Sequence, residues 1–251
     1  LIVVHPLSGI GEIEPKSDLA QQLIDSLRKN DIELQSDDIL VVTQKILSKA
    51  EGRFVALCEV VPSEEALRLA EITCKDARLV EMVLRESVEV VRAAPNVLIT
   101  RHRLGFVMAN GGIDRSNLGK GRGEHVLLLP EDPDRAASAL RQDLADRAGV
   151  APGIVISDSF GRPWRLGVTA VAIGAAGIAA LVDRRGEYDR DGRALEVTQV
   201  AFGDMLATAS GLVTGEGAEG IPAALIRGVR VNAPHRPAAT LIRSLKEDLF
   251  R

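Results

Sequence analysis

The chain has 251 residues, 46% of them hydrophobic and 26% charged, which suits one large domain with a proper core. Aromatics make up only 3% and the net charge is −4, which excludes base-stacking platforms and the basic footprint of a nucleic-acid binder. No apolar run approaches the length of a membrane span, and no signal peptide opens the sequence, so a cytoplasmic protein without membrane or nucleic-acid partners is expected.

In chain order, "LIVVHPL" reads as a short strand running into the turn "SGIGEIEP". Ser17 and Asp18 then cap a helix with Leu19, Leu23, Ile24 and Leu27 on one face. "DILVVTQKILSKAEG" reads as a buried strand followed by a polar loop. "PSEEALRLAEITCKDARLVEMVLRESVEVV" reads as two short helices, the first opened by Pro62, Ser63 and acidic residues. "NVLITRHRLGFVMANGG" gives two strands joined by a basic turn. A helix from about Asp134 to Arg147, capped at Asp132-Pro133, leads through Gly149 to the strand "GIVISDSFG". "VTQVAFGDMLATASGLVTGEGAEG" predicts a helix ending in a Gly-rich loop, and "IPAALIRGV" a last buried strand. The tail from about Asn232 packs on the body or on another subunit. Strands and helices mix without strict βαβ alternation, which favours α+β or mixed α/β over a doubly wound fold. Both cysteines, Cys58 and Cys74, are assigned to the core, and the four His residues show no metal-ligand spacing.

The motifs that carry chemistry sit where strands end. "GGIDRSNLGKGRGEH", Gly111 to His125, has the glycines and lysine of a phosphate loop. It fails the nucleotide pattern, because Asp114 stands where Gly should and Gly121 follows Lys120. "GIGEIE" fails as a dinucleotide fingerprint, since Glu14 replaces the third Gly; it remains a loop whose amides could meet phosphate. In "VISDSFGRPWR", Asp158 follows a strand directly, with Ser159, Arg162 and Arg165 beside it. Carboxylate and hydroxyl oxygens suit Mg²⁺ or Mn²⁺, whereas the bland reading makes Asp158 a helix cap paired with an arginine. Asp114 has a similar setting, and two such acids at two strand ends can share a metal. "TGEGAEG" supplies Glu216 amid glycines, as a third oxygen ligand or as part of a mobile surface loop. Lys45 and Lys49 follow a strand, either as phosphate contacts or as solvated lysines. "DRDG", Asp189 to Gly192, lacks the remaining ligands of a calcium loop and reads as a turn.

Taken together, "VVTQKILSKAEGR", "GIDRSN", "SDSFGRPWRLG…AIGAAGI", "DGRALEVT" and "GEGAEGIPAALIRG" resemble, in register, the coenzyme F420-0:L-glutamate ligase family from about Pro6 to Gly228. The resemblance implies one domain over 1–251, of mixed α/β architecture and an intertwined homodimer, without the C-terminal flavin-reductase-like domain that some relatives carry. It implies ligation of L-glutamate to F420-0 driven by GTP through an acyl phosphate, with further γ-glutamyl additions open. It also implies two divalent ions, Mg²⁺ or Mn²⁺, and allows a monovalent cation such as K⁺. Carried over by position, Asp114 and Asp158 are metal ligands and the catalytic acids, with Ser159 and Glu216 completing the metal set. The nucleotide site maps to Ser8, Gly9, Ile10 and Gly11; to Thr43, Gln44, Ser48 and Lys49; to Asn117; and to Thr214, Gly215, Glu216, Gly217, Gly220 and Ile221. Two departures stand out. Gly203-Asp204-Met205 replaces the usual Ala-Asp-Glu, and the Gly should weaken its helix by about 1 kcal/mol relative to Ala. Glu216 stands in a loop where many relatives have Gly-Lys. The alternatives are another amide-forming ligase on the same scaffold, or a non-catalytic nucleotide- or coenzyme-binding protein.

Overall fold

The computed structural model describes residues 1–248. Strand β1 (Val3–Pro6) precedes helix α1 (Leu19–Lys29), whose Asp18 side chain accepts from the Gln21 amide at 3.1 Å, as a cap should. Strand β2 (Ile39–Thr43) passes directly into α2 (Gln44–Ala50), and β3 (Phe54–Ala56) follows. Next come α3 (Glu64–Thr73) and α4 (Ala77–Arg85), then β4 (Ser87–Ala94), β5 (Val97–His102), β6 (Val107–Ala109) and β7 (His125–Leu127). Helix α5 (Pro133–Ala148) starts at the Asp132 cap with Pro at its first turn and stops at Gly149, whose φ of 69° is the left-handed ending. The long strands β8 (Gly153–Arg162) and β9 (Arg165–Ala176) form a hairpin. The short β10 (Val182–Asp183) and β11 (Gln199–Val200), helix α6 (Phe202–Thr214) and β12 (Ala223–Arg227) complete the order.

The central sheet runs β1-β12-β2-β8-β9, with β2 and β8 parallel and the other pairs antiparallel. Period-two alternation sorts its side chains into two cores. Leu40 and Val42 of β2, with Ile154 and Ile156 of β8, pack against Leu23 and Leu27 of α1 and Leu140 and Leu144 of α5. Ile39, Val41 and Val155 point the other way, onto Phe202 and Leu206 of α6. A third core joins α3 and α4 to the β4-β5-β6 sheet and the β3-β7 ribbon, around Leu69, Val80, Val83, Leu98 and Val126. The result is a mixed α/β architecture. Among the described residues no helix is long and apolar enough to cross a membrane.

The structure corrects three expectations. The polar stretch after β2 is a helix, not a loop: Ile46 and Leu47 are buried, and the chain turns helical straight after Thr43. The segment expected to end the second helix is strand β4, whose irregular pairing with β5 includes two register shifts. Strand β9, "RLGVTAVAIGAA", lies outside the elements expected from the sequence, and close packing requires its Gly174. A Cβ on Gly174 would lie 2.4 Å from the Pro133 carbonyl oxygen at the start of α5. Finally, Cys58 and Cys74 are free and exposed, Cys58 in a short 3₁₀ turn after β3 and Cys74 at the end of α3 with φ 53°. The tail does pack on the body, since Ala238 and Ala239 amides donate to the Asp134 carboxylate at 2.8 and 3.0 Å. Its last residues, Leu249 to Arg251, lie outside the described residues. Asp189 forms a turn, accepting from the Asp191 and Arg193 amides.

Candidate active site

Because β2 and β8 are parallel, their C-terminal ends reach the same edge of the sheet, with Thr43 opposite Ser157. The next residues, Gln44 and Asp158, therefore open onto one place, the edge where open sheets bind ligands. Strand β12 brings a third segment there: the Thr43 amide donates to the Pro222 carbonyl at 2.9 Å, which seats the Gly-rich 215–222 loop over the same edge. Asp114 is held by a reciprocal pair of 2.9 Å backbone bonds with Leu127. A β-bulge lies beside the site: Ile156 pairs with Gly174 but Ser157 with Ala172, so Ile173 is the extra residue. The Ala172 amide goes to Asp204 Oδ1 at 2.9 Å. This accounts for Gly203 and Asp204 in α6; nothing in the structure explains the exposed Met205 in place of the acid. Asp204 braces the bulge, and Gly203 lets the helix approach, because a Cβ there would meet Ala172 Cβ at 3.0 Å.

Asp158 is not a helix cap. It sits within β8, and the carboxyl is surrounded by protein although the residue is partly accessible from the cleft. Burial first, and the neighbouring Asp114 second, push its pKa up to about 7, against the Ser159 amide, Lys45 and Gln44, which favour the charge. Gln44 Nε2 donates to Asp114 Oδ2 at 2.8 Å, and Lys45 Nζ lies 3.1 Å from the same oxygen while also donating to the Ser116 carbonyl. Two close carboxyls with too little positive charge, all-oxygen donors and an adjacent hydroxyl fit a hard divalent cation. Asp114 and Asp158 are the residues that would hold it. Among the described residues no three acidic, His or Cys side chains converge on one point. Glu216 instead turns both carboxylate oxygens to Ser159 Oγ, at 2.7 and 2.8 Å, so these two form a neighbouring oxygen pair.

Above the acids is a cleft of about 870 Å³. Of the expected nucleotide residues, Ile10, Gly11, Thr43, Gln44, Lys49, Asn117, Thr214, Gly215, Glu216, Gly217, Gly220 and Ile221 line it. Ser8, Gly9 and Ser48 are not in its wall. Ser8 Oγ donates to Asn30 Oδ1 at 2.9 Å, the Gly9 carbonyl accepts from Lys29 at 3.1 Å, and Ser48 is buried behind Gln44. Asn117 Nδ2 donates to the Gly217 carbonyl at 3.2 Å, tying the two Gly-rich loops across the cleft. Arg115, Lys120 and Arg122 add positive charge to its rim, with Arg122 stacked 3.9 Å over Phe54 and paired with Glu14. The sequence reading left out Glu12, which pairs with Lys49, and Glu219, which accepts from the Gly217 amide at 2.8 Å. Both lie in loops already suspected, but no spacing links either acid to its partner.

The sequence model of a family described as F420-0:Gamma-glutamyl ligase matches residues 9–228. The chain is similar to the coenzyme F420:L-glutamate ligase of Methanopyrus kandleri, at 44% identity over 99% of this chain and 97% of that protein. Its similarity to the protein of the same name from Methanocaldococcus jannaschii is 42% identity over 87% of this chain and 86% of the relative. For the Methanothermobacter thermautotrophicus protein, also so named, the figures are 41%, 98% and 95%.

Proposed function

We propose a GTP-driven reaction for this chain, which belongs to the F420-0:gamma-glutamyl ligase family and is therefore a glutamate ligase of F420 biosynthesis. The γ-phosphoryl group of GTP passes to a carboxylate of F420-0: the bond from γ-phosphorus to the bridging oxygen breaks, a carboxylate oxygen bonds to phosphorus, and GDP leaves. The free amine of L-glutamate then attacks the acyl carbon. The carbon–oxygen bond to phosphate breaks, giving an amide and inorganic phosphate, which takes up the proton the amine loses. Such chemistry needs positioning and charge neutralisation more than a protein nucleophile.

One observation carries the reading: the Asp114 and Asp158 carboxyls lie near each other on the cleft floor, beneath a rim of Arg115, Lys120 and Arg122. Mg²⁺ or Mn²⁺ on the two acids would neutralise phosphate charge, with Ser159 and Glu216 placed for a second ion. Gln44 and Lys45 fix the Asp114 oxygen, while the rim cations draw the triphosphate and the substrate carboxylates into the cleft and orient them. The exposed apolar side chains of the β8–β9 hairpin and α6, including Leu166, Val168, Met205 and Leu212, are the surface on which we place a homodimer contact. The test is mass spectrometry of F420-0 incubated with the protein, L-glutamate and Mn²⁺, with and without GTP. A gain of glutamyl units only with GTP supports the reaction; a gain without nucleotide, or none with it, refutes it.

A further inference from the structure

Ser48 lies one helical turn beyond Gln44 on α2; it is 0% exposed and Gln44 is 3% exposed. Its hydroxyl donates to Gln44 Oε1 at 2.9 Å, and the other end of that amide donates from Nε2 to Asp114 Oδ2 at 2.8 Å. The same amide faces Asp158. A side-chain amide has a carbonyl end and an NH₂ end, and a half-turn would set its oxygen against two carboxyls. The bond from Ser48 anchors the far end, so the near end stays aimed at the acids. Without it, a buried carbonyl would lose the Ser48 donor, and the amide would be free to turn.

We propose that Ser48 is a positioning residue for the cation site, anchoring Gln44 so that the Gln44 amide holds Asp114 beside Asp158 at a spacing that receives a divalent ion. The proposal rests on the reading of those two acids as the metal carboxylates. It gives Ser48 a role although the side chain does not reach the cleft. The hydroxyl acts through Gln44, not on nucleotide. The chain of bonds runs from helix interior to carboxylate, and outer partners of this kind typically set metal affinity within a factor of about 10 to 100.

The experiment titrates Mn²⁺ into the nucleotide-free, full-length protein, reading free Mn²⁺ by electron paramagnetic resonance and folding by thermal melting. The variants are Ser48→Ala, Gln44→Ala, the double variant and Asp158→Asn. Ser48→Ala should weaken Mn²⁺ binding about 10-fold and Gln44→Ala about 10- to 100-fold. The double variant should bind no more weakly than Gln44→Ala alone, because Ser48 has nothing left to act through. Ser48→Cys, of similar size but a poor donor, should also weaken binding with little change in melting, and it replaces the Ala variant if that one fails to fold. Wild-type affinity in a folded Ser48→Ala or Ser48→Cys protein overturns the proposal, as does a further 10-fold loss when Ser48→Ala is added to Gln44→Ala. If the wild type binds no Mn²⁺ and Asp158→Asn changes nothing, the metal reading falls and the proposal with it.

Discussion

Two half-buried carboxyl groups in this chain have opposite charge balances. At the junction of α4, β4 and β5, Glu86 faces Arg53 at 2.9 Å, Arg103 at 3.3 Å and His102 Nε2 at 3.4 Å. Burial alone would raise its pKa, yet His102, Arg53 and Arg103 hold it at about 2. At the cleft floor, Asp158 shares its surroundings with another acid, and the Ser159 amide, Lys45 and Gln44 offset this only in part, so burial and Asp114 carry it up to about 7. Glu86 is satisfied by the fold and locks two distant segments together. Asp158 is left with a second acid beside it and less compensating charge, and we propose that a divalent cation makes up the difference. Perturbed groups mark function when the perturbation is unfavourable and uncompensated, and mark structure when it is compensated.

The contrast can be broken by exchanging charge for neutrality at each acid. The largest effect is expected from Asp158→Asn on ligation, a loss of about 10³-fold in kcat/KM with the circular-dichroism spectrum unchanged. Retained activity would detach Asp158 from the reaction. On stability the same substitution should act in the opposite direction. With a folded pKa of about 7 against 3.8 for the ordinary group, the Asp158 penalty is absent below pH 4 and grows as pH rises through 7. Metal-free Asp158→Asn should therefore be more stable than wild type by about 2–4 kcal/mol at pH 8 in urea unfolding, with no difference at pH 4. Saturating Mn²⁺ should reverse the order, since it stabilises only the protein that binds it.

Glu86→Gln should show the reverse sign throughout, losing about 2–4 kcal/mol at neutral pH because it leaves cations without their carboxylate. Glu86 stabilises the fold above its ordinary pKa of 4.5, and that contribution fades as pH falls toward 2. Chemical unfolding of wild type and variant should therefore converge in acid, and a constant gap from pH 7 to 2.5 would contradict the ion cluster. The smallest effect is at Gly203. An Ala there should raise helix propensity by about 1 kcal/mol, but the close Ala172 contact opposes it. A melting temperature raised by Gly203→Ala would show that α6 can retreat from the bulge; an unchanged or lowered one fits the packing seen.

Much of the site was legible because parallel strands deliver consecutive residues to one edge. "VVTQK" and "VISDS" each place a polar residue straight after an apolar run, and both reach the cleft floor. The Gly-rich stretch holding Asp114 was legible as part of the cleft, which it lines from Asp114 to Gly123. What the sequence hid was of two kinds. Short or small-residue elements carry weak periodicity: α2 has seven residues, and β9 owes its place to the contacts of Gly174 and Ala172. Pairings between distant residues leave no pattern at all. Neither Glu86 with Arg53 and His102, nor Asp204 with the Ala172 amide, has a spacing to read. That Ser8, Gly9 and Ser48 stand outside the cleft wall has the same origin, because resemblance fixes a segment and not which of its side chains face inward. Cys58 and Cys74 were misjudged on residue type, where local position at a turn and a helix end decided their exposure.

The central proposal is that Asp114 and Asp158 together hold a divalent metal. Calorimetric titration of Mn²⁺ at pH 6 and pH 8, in buffers of differing ionisation enthalpy, counts the protons released on binding. With Asp158 titrating near 7, about 0.9 proton should leave per metal bound at pH 6 and about 0.1 at pH 8. Binding without proton release at pH 6, or no binding at either pH, would contradict the account.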